Sequence, residues 1–306
     1  MRLRRPAVWI LLFSSAAGGC AGLPQREVAG DSGGAKTLLA WSAGRAPEPK
    51  PPADPDAPPV QEKEEPLTTD RPDFTEASST VGRGRVQLEA GYTFTRDRSG
   101  DATSRSHSYP EALLRVGAVA DWLEFRLGQN FGHAPVDSPN GVFGTGGAED
   151  LYLGVKLGLT EQKQVLPEVA LILQTTVPTG HRDFTSSKLQ PGFNLLYGWD
   201  VIEDRLSFAG SSQANRALDA TGHGYVELAQ SLTAGYTLTE RLGAYTEWFA
   251  FFPTGALAPG VGPQQYLDGG FTFRLTPNVQ FDVRAGVGLN RQSDDYFAGT
   301  GFAIRY

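Results

Sequence analysis

The stretch Val279–Leu289 reads VQFDVRAGVGL, and its alternation decides how the whole chain is to be read. Val279, Phe281, Val283, Ala285, Val287 and Leu289 occupy every second position, with Gln280, Asp282, Arg284, Gly286 and Gly288 between them. Successive side chains of a β-strand point to opposite faces, so this stretch has one apolar face and one polar face. A tilted strand of about ten residues is long enough to cross a bilayer.

The same pattern recurs outward from this stretch. In 85–96, Val86, Leu88, Ala90, Tyr92 and Phe94 alternate with Gln87, Glu89, Gly91, Thr93 and Thr95. In 151–159, Leu151, Leu153, Val155, Leu157 and Leu159 alternate with Tyr152, Gly154, Lys156 and Gly158. Twelve such segments fit the chain, at 85–96, 107–119, 122–132, 148–159, 167–177, 190–200, 205–215, 224–237, 241–252, 265–275, 279–290 and 296–306. Tight connections alternate with longer ones rich in Gly, Pro, Ser and Asp at 97–106, 133–147, 178–189, 216–223 and 253–264; the connection 160–166 is longer than its class. Pro110, Pro167 and Pro191 fall at or near predicted strand starts, where a missing N–H costs least. The fold class this implies is all-β: a transmembrane, up-and-down antiparallel β-barrel of about 12 strands. Apolar-face aromatics sort into two belts, with Phe94, Phe131, Phe252 and Tyr296 at one rim and Trp199, Tyr236, Phe273 and Tyr306 at the other. A soluble β-sandwich also alternates, but rarely through twelve segments to the last residue.

Composition agrees with a barrel. Mean hydropathy is -0.28, and no apolar run reaches the length of about 18 residues that a spanning helix needs. Glycine (37 residues) and aromatics (10%) are plentiful. The net charge of -7 and the absence of a basic stripe argue against nucleic acid as a partner.

The N-terminus reads as an export signal over 1–20: Arg2, Arg4 and Arg5 precede a short apolar core at 7–17. The single cysteine, Cys20, follows Ala17-Gly18-Gly19 and resembles a lipidation site, although Ala17 stands where leucine is usual; ordinary cleavage nearby is the other reading. Residues 21–66 are rich in Pro, Ala, Gly, Glu and Lys, and are expected to form a solvated periplasmic tether. The barrel unit is then 67–306, and an even strand count brings the C-terminus back beside the tether. The chain ends Phe302-Ala303-Ile304-Arg305-Tyr306, which resembles the C-terminal signal read by the bacterial barrel assembly machinery.

Parity also assigns an interior. Glu89, Glu111, Arg115, Glu124, Arg126, Asp150, Lys156, Glu227, Glu247, Asp268, Arg274, Asp282, Arg284 and Arg305 should face inward, because a basic residue facing lipid near mid-membrane costs about 2–4 kcal/mol. Trp122, Tyr152, Ile172, Leu196, Tyr245, Phe249 and Phe251 share that parity. Such charges either line a wet channel or pair to brace a filled interior. The mixed lining suits a narrow passage for amphipathic solutes, or a partly plugged barrel.

Four stretches carry a family resemblance: TDRPDFTEASSTVGRGRVQLEAGYTFT from Thr69, ADWLEFRLG from Ala120, PTGHRDFTSSKLQPGFNLLYGWD from Pro178 and LGAYTEWFAFFP from Leu242. Together they resemble a bacterial outer-membrane family labelled for the meta-pathway of phenol degradation, or simply "transporter", from about Asp70 to Tyr306. The resemblance implies a β-barrel that passes small, aromatic or other organic molecules; it brings no catalytic residues and no cofactor. The competing classes are an outer-membrane hydrolase and a structural anchoring barrel. For a hydrolase, Ser106-His107-Ser108 with Glu111 is the single local cluster of suitable residue types. The segment Asp70-Arg71-Pro72-Asp73-Phe74 is denser in charge than a linker requires. It is expected to fold back at the periplasmic mouth as a plug, pairing Asp70, Arg71 and Asp73 with lumen charges and packing Phe74 on inward apolar residues, with the alternative that it merely leads into the first strand.

Overall fold

A computed structural model describes residues 35–40, 65–99, 101–138 and 141–306. The expected signal segment, Cys20 and most of the 21–66 tether lie outside the described residues.

The period-two segments form strands β1 (Val86–Ser99), β2 (Ala102–Gly117), β3 (Leu123–Ser138), β4 (Gly141–Ala148), β5 (Leu151–Thr160), β6 (Glu168–Val177) and β7 (Gln190–Ile202). They continue as β8 (Leu206–Leu218), β9 (Gly224–Thr237), β10 (Leu242–Thr254), β11 (Gln264–Thr276), β12 (Val279–Gly288) and β13 (Tyr296–Arg305). Neighbours pair antiparallel, and β1 pairs with both β2 and β13, so the sheet closes on itself. β3 pairs with β5 over Leu123–Gly128 and with β4 over Phe131–Ser138, so β4 and β5 are two halves of one wall position, interrupted at Glu149-Asp150. The wall is therefore a closed antiparallel barrel of twelve strands. Closure leaves no row of unpaired N–H and C=O groups facing lipid.

The two faces separate as the alternation requires. On β12, Phe281, Val283 and Val287 are 48%, 50% and 48% exposed, whereas Gln280 and Asp282 are 5% and 3%. Both ends of the barrel chain lie at one rim, where Val86 and Tyr306 exchange backbone hydrogen bonds.

Several connections differ from expectation. The stretches 97–106 and 133–147, expected as long loops, are mostly ladder: Asp97 pairs with Ser104 and Asp137 with Val142, so β1–β4 rise as a tongue above the rest of the wall. Beyond the bilayer a strand needs no apolar face, and the alternation that marks strands fades while backbone pairing continues. Pro110 is not near a strand start. It sits inside β2, where the registers to β1 and β3 both shift, so its missing N–H falls at a break in the ladder. The long 160–166 connection forms a small turn of its own, closed by a Lys163–Leu166 bridge and tied down by Gln162, which exchanges hydrogen bonds with Asp200. Part of the expected solvated tether is docked: the Leu38 and Leu39 amides donate to the Gly158 and Leu159 carbonyls at the rim end of β5.

Candidate functional site

Residues 65–85 enter the barrel at the rim that carries the chain ends, reach about half-way up its interior and return. At the entry, the Leu67 amide donates to the Pro277 carbonyl and Arg305 Nη2 donates to the Glu65 carbonyl. At the exit, the Val81 amide donates to Glu124 and the Arg83 amide to Asp121, in the β2–β3 turn. Between these points Asp70, Arg71, Asp73, Phe74 and Glu76 are at most 5% exposed. Such burial of charge is tolerated only with paired, hydrogen-bonded partners.

Asp70 is the centre of a charge cluster. Its carboxylate accepts from Arg126 Nη1 at 2.6 Å and Lys156 Nζ at 3.1 Å, lies 3.3 Å from Arg115 Nε, and takes the Ala77 amide at 3.0 Å. Burial alone would raise this carboxyl, but the three cations outweigh it and hold Asp70 far below the usual carboxylate range. Glu89 accepts the Asp70 amide and Arg115 Nη1; Glu124 accepts Arg115 and Arg126; Glu76 bridges Arg126 Nη2 and Asn194. Lys156 also donates to the Ala77 carbonyl, so wall cations grip plug backbone as well as plug carboxylate.

Arg71 turns to the adjoining wall, towards β2, β12 and β13. Nη1 meets Glu111 at 2.8 Å, Nε meets Asp282 at 3.3 Å, and Nη2 donates to the Thr300 carbonyl. It fits because Gly91 and Gly301, directly paired across β1 and β13, leave the wall bare: a Cβ on either would fall 2.3 Å from its guanidinium. Arg284 donates to the Pro72 carbonyl and to Thr93.

Phe74 supplies the apolar contact. Its ring stacks on Phe249 at 4.8 Å and 12°, and meets Phe251 edge-on at 5.2 Å. Phe249 stacks on Tyr266 at 4.9 Å, which makes a run of three rings with Phe297 alongside. Beneath it, Glu247 accepts the Phe74 and Thr75 amides and the Thr75 and Thr233 hydroxyls.

The remaining inward candidates take lesser parts. Tyr245 donates to Asp268 at 3.0 Å, and Arg305 to Asn278. Arg274 sits at the rim, where it donates to the Glu240 carbonyl. Asp150 holds the β6–β7 connection, accepting the Gly180 amide and both the amide and hydroxyl of Ser186; this connection buries Phe184 to 4%. Beside Asp150 lies a polar chamber of about 50 Å³, lined in part by Asn130, Tyr152, Gln174, Asn215 and Glu227. A larger groove beside Leu114, Phe125 and Leu153 runs along the apolar outer wall, so it faces lipid and is no solute site.

The hydrolase cluster does not assemble. The bulge at Tyr109–Ala112 reverses parity in the upper part of β2, so His107 faces outward, bonded to Tyr92, while Ser108 faces inward, bonded to Asn130. Glu111 is engaged by Arg71. Parity reasoning passed over Ser231 and Thr233, the neutral wall partners of Thr75 in the plug, and the Gly91–Gly301 cradle. Their inward parity was visible, but small uncharged residues carry no signal of a partner.

The family model described as "Putative MetA-pathway of phenol degradation" matches residues 69–306, the plug and the whole wall together. The chain belongs to that family. Among solved structures, an outer-membrane channel from Pseudomonas putida F1 is similar with a TM-score of 0.57 at 12% identity, covering 75% of this chain and 98% of that one. The NanC porin is a looser likeness, with a TM-score of 0.45 at 9% identity over 72% of this chain and 98% of that one. So is the CymD monoaromatic hydrocarbon channel, at 0.39 and 11% over 73% and 88%. No curated protein sequence matches the chain. At these identities the likeness is one of fold, and the family member is an outer-membrane β-barrel.

Proposed function

We propose that this barrel is an outer-membrane channel for passive uptake or efflux of small amphipathic or aromatic organic molecules, restricted by its own segment 67–81. The observation that carries the reading is Phe74 stacked on Phe249 within a polar, ion-paired lumen. A ring-shaped apolar group already occupies the interior, flanked by hydrogen-bonding groups such as Arg284 and Asp268, and a solute with a ring and a polar end finds the same pair of environments. Membership of a family named for phenol degradation and the fold likeness to a bacterial outer-membrane channel support the same reading. In this reading the rim with the chain ends faces the periplasm, next to the tether, and the exposed Tyr306 there is the residue presented to the barrel assembly machinery.

Single-channel conductance in planar bilayers tests the proposal. The intact barrel should give a small discrete conductance, and deletion of 67–76 should enlarge it and speed entry of phenol into liposomes, with heat-modifiable gel migration retained. Should the deletion destabilise the wall, Phe74→Ala serves as the milder probe. Silence from the intact protein, the deletion and Phe74→Ala alike would overturn the channel.

A further inference from the structure

The outward face of the tongue formed by β1, β2 and β3 carries a feature that solute passage does not use. Tyr92, Phe94, Tyr109 and Tyr296 mark the aromatic belt on this side, with Tyr92, Tyr109 and Tyr296 38–48% exposed. Aromatic belts sit at the level of the lipid headgroups. At and just beyond this belt, on the same face, stand Arg96, Arg98, Arg105, His107 and His133.

Their arrangement is unfavourable by itself. Arg96 and Arg105 are directly opposite in the β1–β2 register, with Arg98 further along the same face. Like charges directly opposite on one face of a sheet repel. Among the described residues, the carboxylate that meets these guanidiniums is Asp137, 3.1 Å from Arg105. Arg96 lies 6.0 Å over the Tyr296 ring, and its Nε is closed off from solvent with no hydrogen-bond partner. His107 and His133 are 5.9 Å apart ring to ring, and His107 is bonded to Tyr92. Three guanidiniums against one carboxylate, fixed at headgroup height on a wall that faces lipid, lack an anion.

We infer that this face binds a phosphorylated lipid headgroup of the outer leaflet. The planar guanidinium forks of Arg96 and Arg105 match phosphate oxygens, the phosphate relieves their mutual repulsion, and the acyl chains descend past Tyr92 and Phe94 along the apolar wall. The site rests on the membrane orientation proposed above and not on conduction, so its test reads lipid retention alone.

Native mass spectrometry of the purified, heat-modifiable barrel provides that test, with diphosphoryl lipid A and the same lipid stripped of phosphate as probes. The wild-type barrel should retain one diphosphoryl lipid and shed the stripped one. The triple variant R96Q/R98Q/R105Q should lose retention by about tenfold or more. Arg216→Gln, on an exposed arginine at the far end of β8, should bind as wild type does. Equal retention of the two lipids by the wild type overturns the inference whatever the variants do. Retention by the triple variant at the wild-type level, or an equal loss in Arg216→Gln, overturns it as well.

Discussion

The guanidinium of Arg71 lies against Gly301 so closely that a Cβ at Gly301 would fall 2.3 Å from its Nε. The plug is thus seated by an absence of side chain as much as by charge. Gly301→Ala should push Arg71 from its pairs with Glu111 and Asp282 and release that half of the plug. Breaking a buried pair in this way costs about 3–5 kcal/mol. Larger and noisier single-channel conductance with unchanged heat-modifiability is the expected result; a conductance identical to wild type would remove the cradle from the argument.

Asp70→Asn should weaken the grip on the plug from β2, β3 and β5. It takes one negative charge from among Arg115, Arg126 and Lys156, all buried and close to it. The loss should again be about 3–5 kcal/mol, because the cations remain while their partner is neutral. Hydrogen exchange of the 67–81 amides should accelerate, and the Ala77 amide, bonded to Asp70, reports it directly. Adding Lys156→Met to Asp70→Asn should recover part of the protection, since it removes one of the stranded charges; a strictly additive double variant would contradict this coupling.

Phe74→Ala leaves a ring-sized gap beside Phe249 and Phe251. Truncating a buried phenylalanine typically costs about 3–5 kcal/mol, and apolar gaps of this kind take up small aromatic molecules. The midpoint of the heat-modifiable transition should fall, and phenol or benzene should restore part of it in the variant while leaving the wild type unmoved. An equal response of both proteins would place the aromatic elsewhere.

Acidity should matter at Asp294, in the connection between β12 and β13. Burial pushes its carboxyl up to about 7; Asp97 and Asp295 add to that rise, and the hydrogen bond from Tyr266 opposes it. The folded state therefore holds this proton more tightly than the unfolded chain does. The contribution to stability is complete below the ordinary carboxylate range and is lost as pH rises towards about 7. Between pH 5 and pH 8 the thermal midpoint should drop further in the wild type than in Asp294→Asn, which carries no titrating group there. Parallel pH curves for the two proteins would refute the assignment.

How much was legible in the sequence follows from what makes a residue visible in one dimension. The alternation at Val279–Leu289 and its counterparts required only that one face meet hydrocarbon and the other not, so strands β5 to β13 lie where the period places them. Charge at inward parity was equally plain, because Glu89, Arg115, Lys156 and Glu247 have no tolerable place on the lipid side. Where the bilayer ends, that constraint ends, and the upper parts of β1 to β4 read as loop although they pair as strand. The bulge that puts His107 outside and Ser108 inside, the reverse of the parity read from Glu111 and Arg115, was hidden for a related reason: one inserted residue shifts parity without changing composition.

The sequence by itself determined the faces, because the solvents on the two sides of the wall differ, and each residue declares its side by its own polarity. The charge excess at Asp70–Phe74 also stood out locally. Only the tertiary structure decided the partners. Arg71 and Asp282 are 211 positions apart, and Thr75 and Glu247 are 172 apart. Those meetings depend on barrel closure and on the depth to which the plug reaches, and neither is a property of any local stretch. The bare wall at Gly91 and Gly301 became a site for the same reason: a glycine makes room, and the closed barrel settles what fills it.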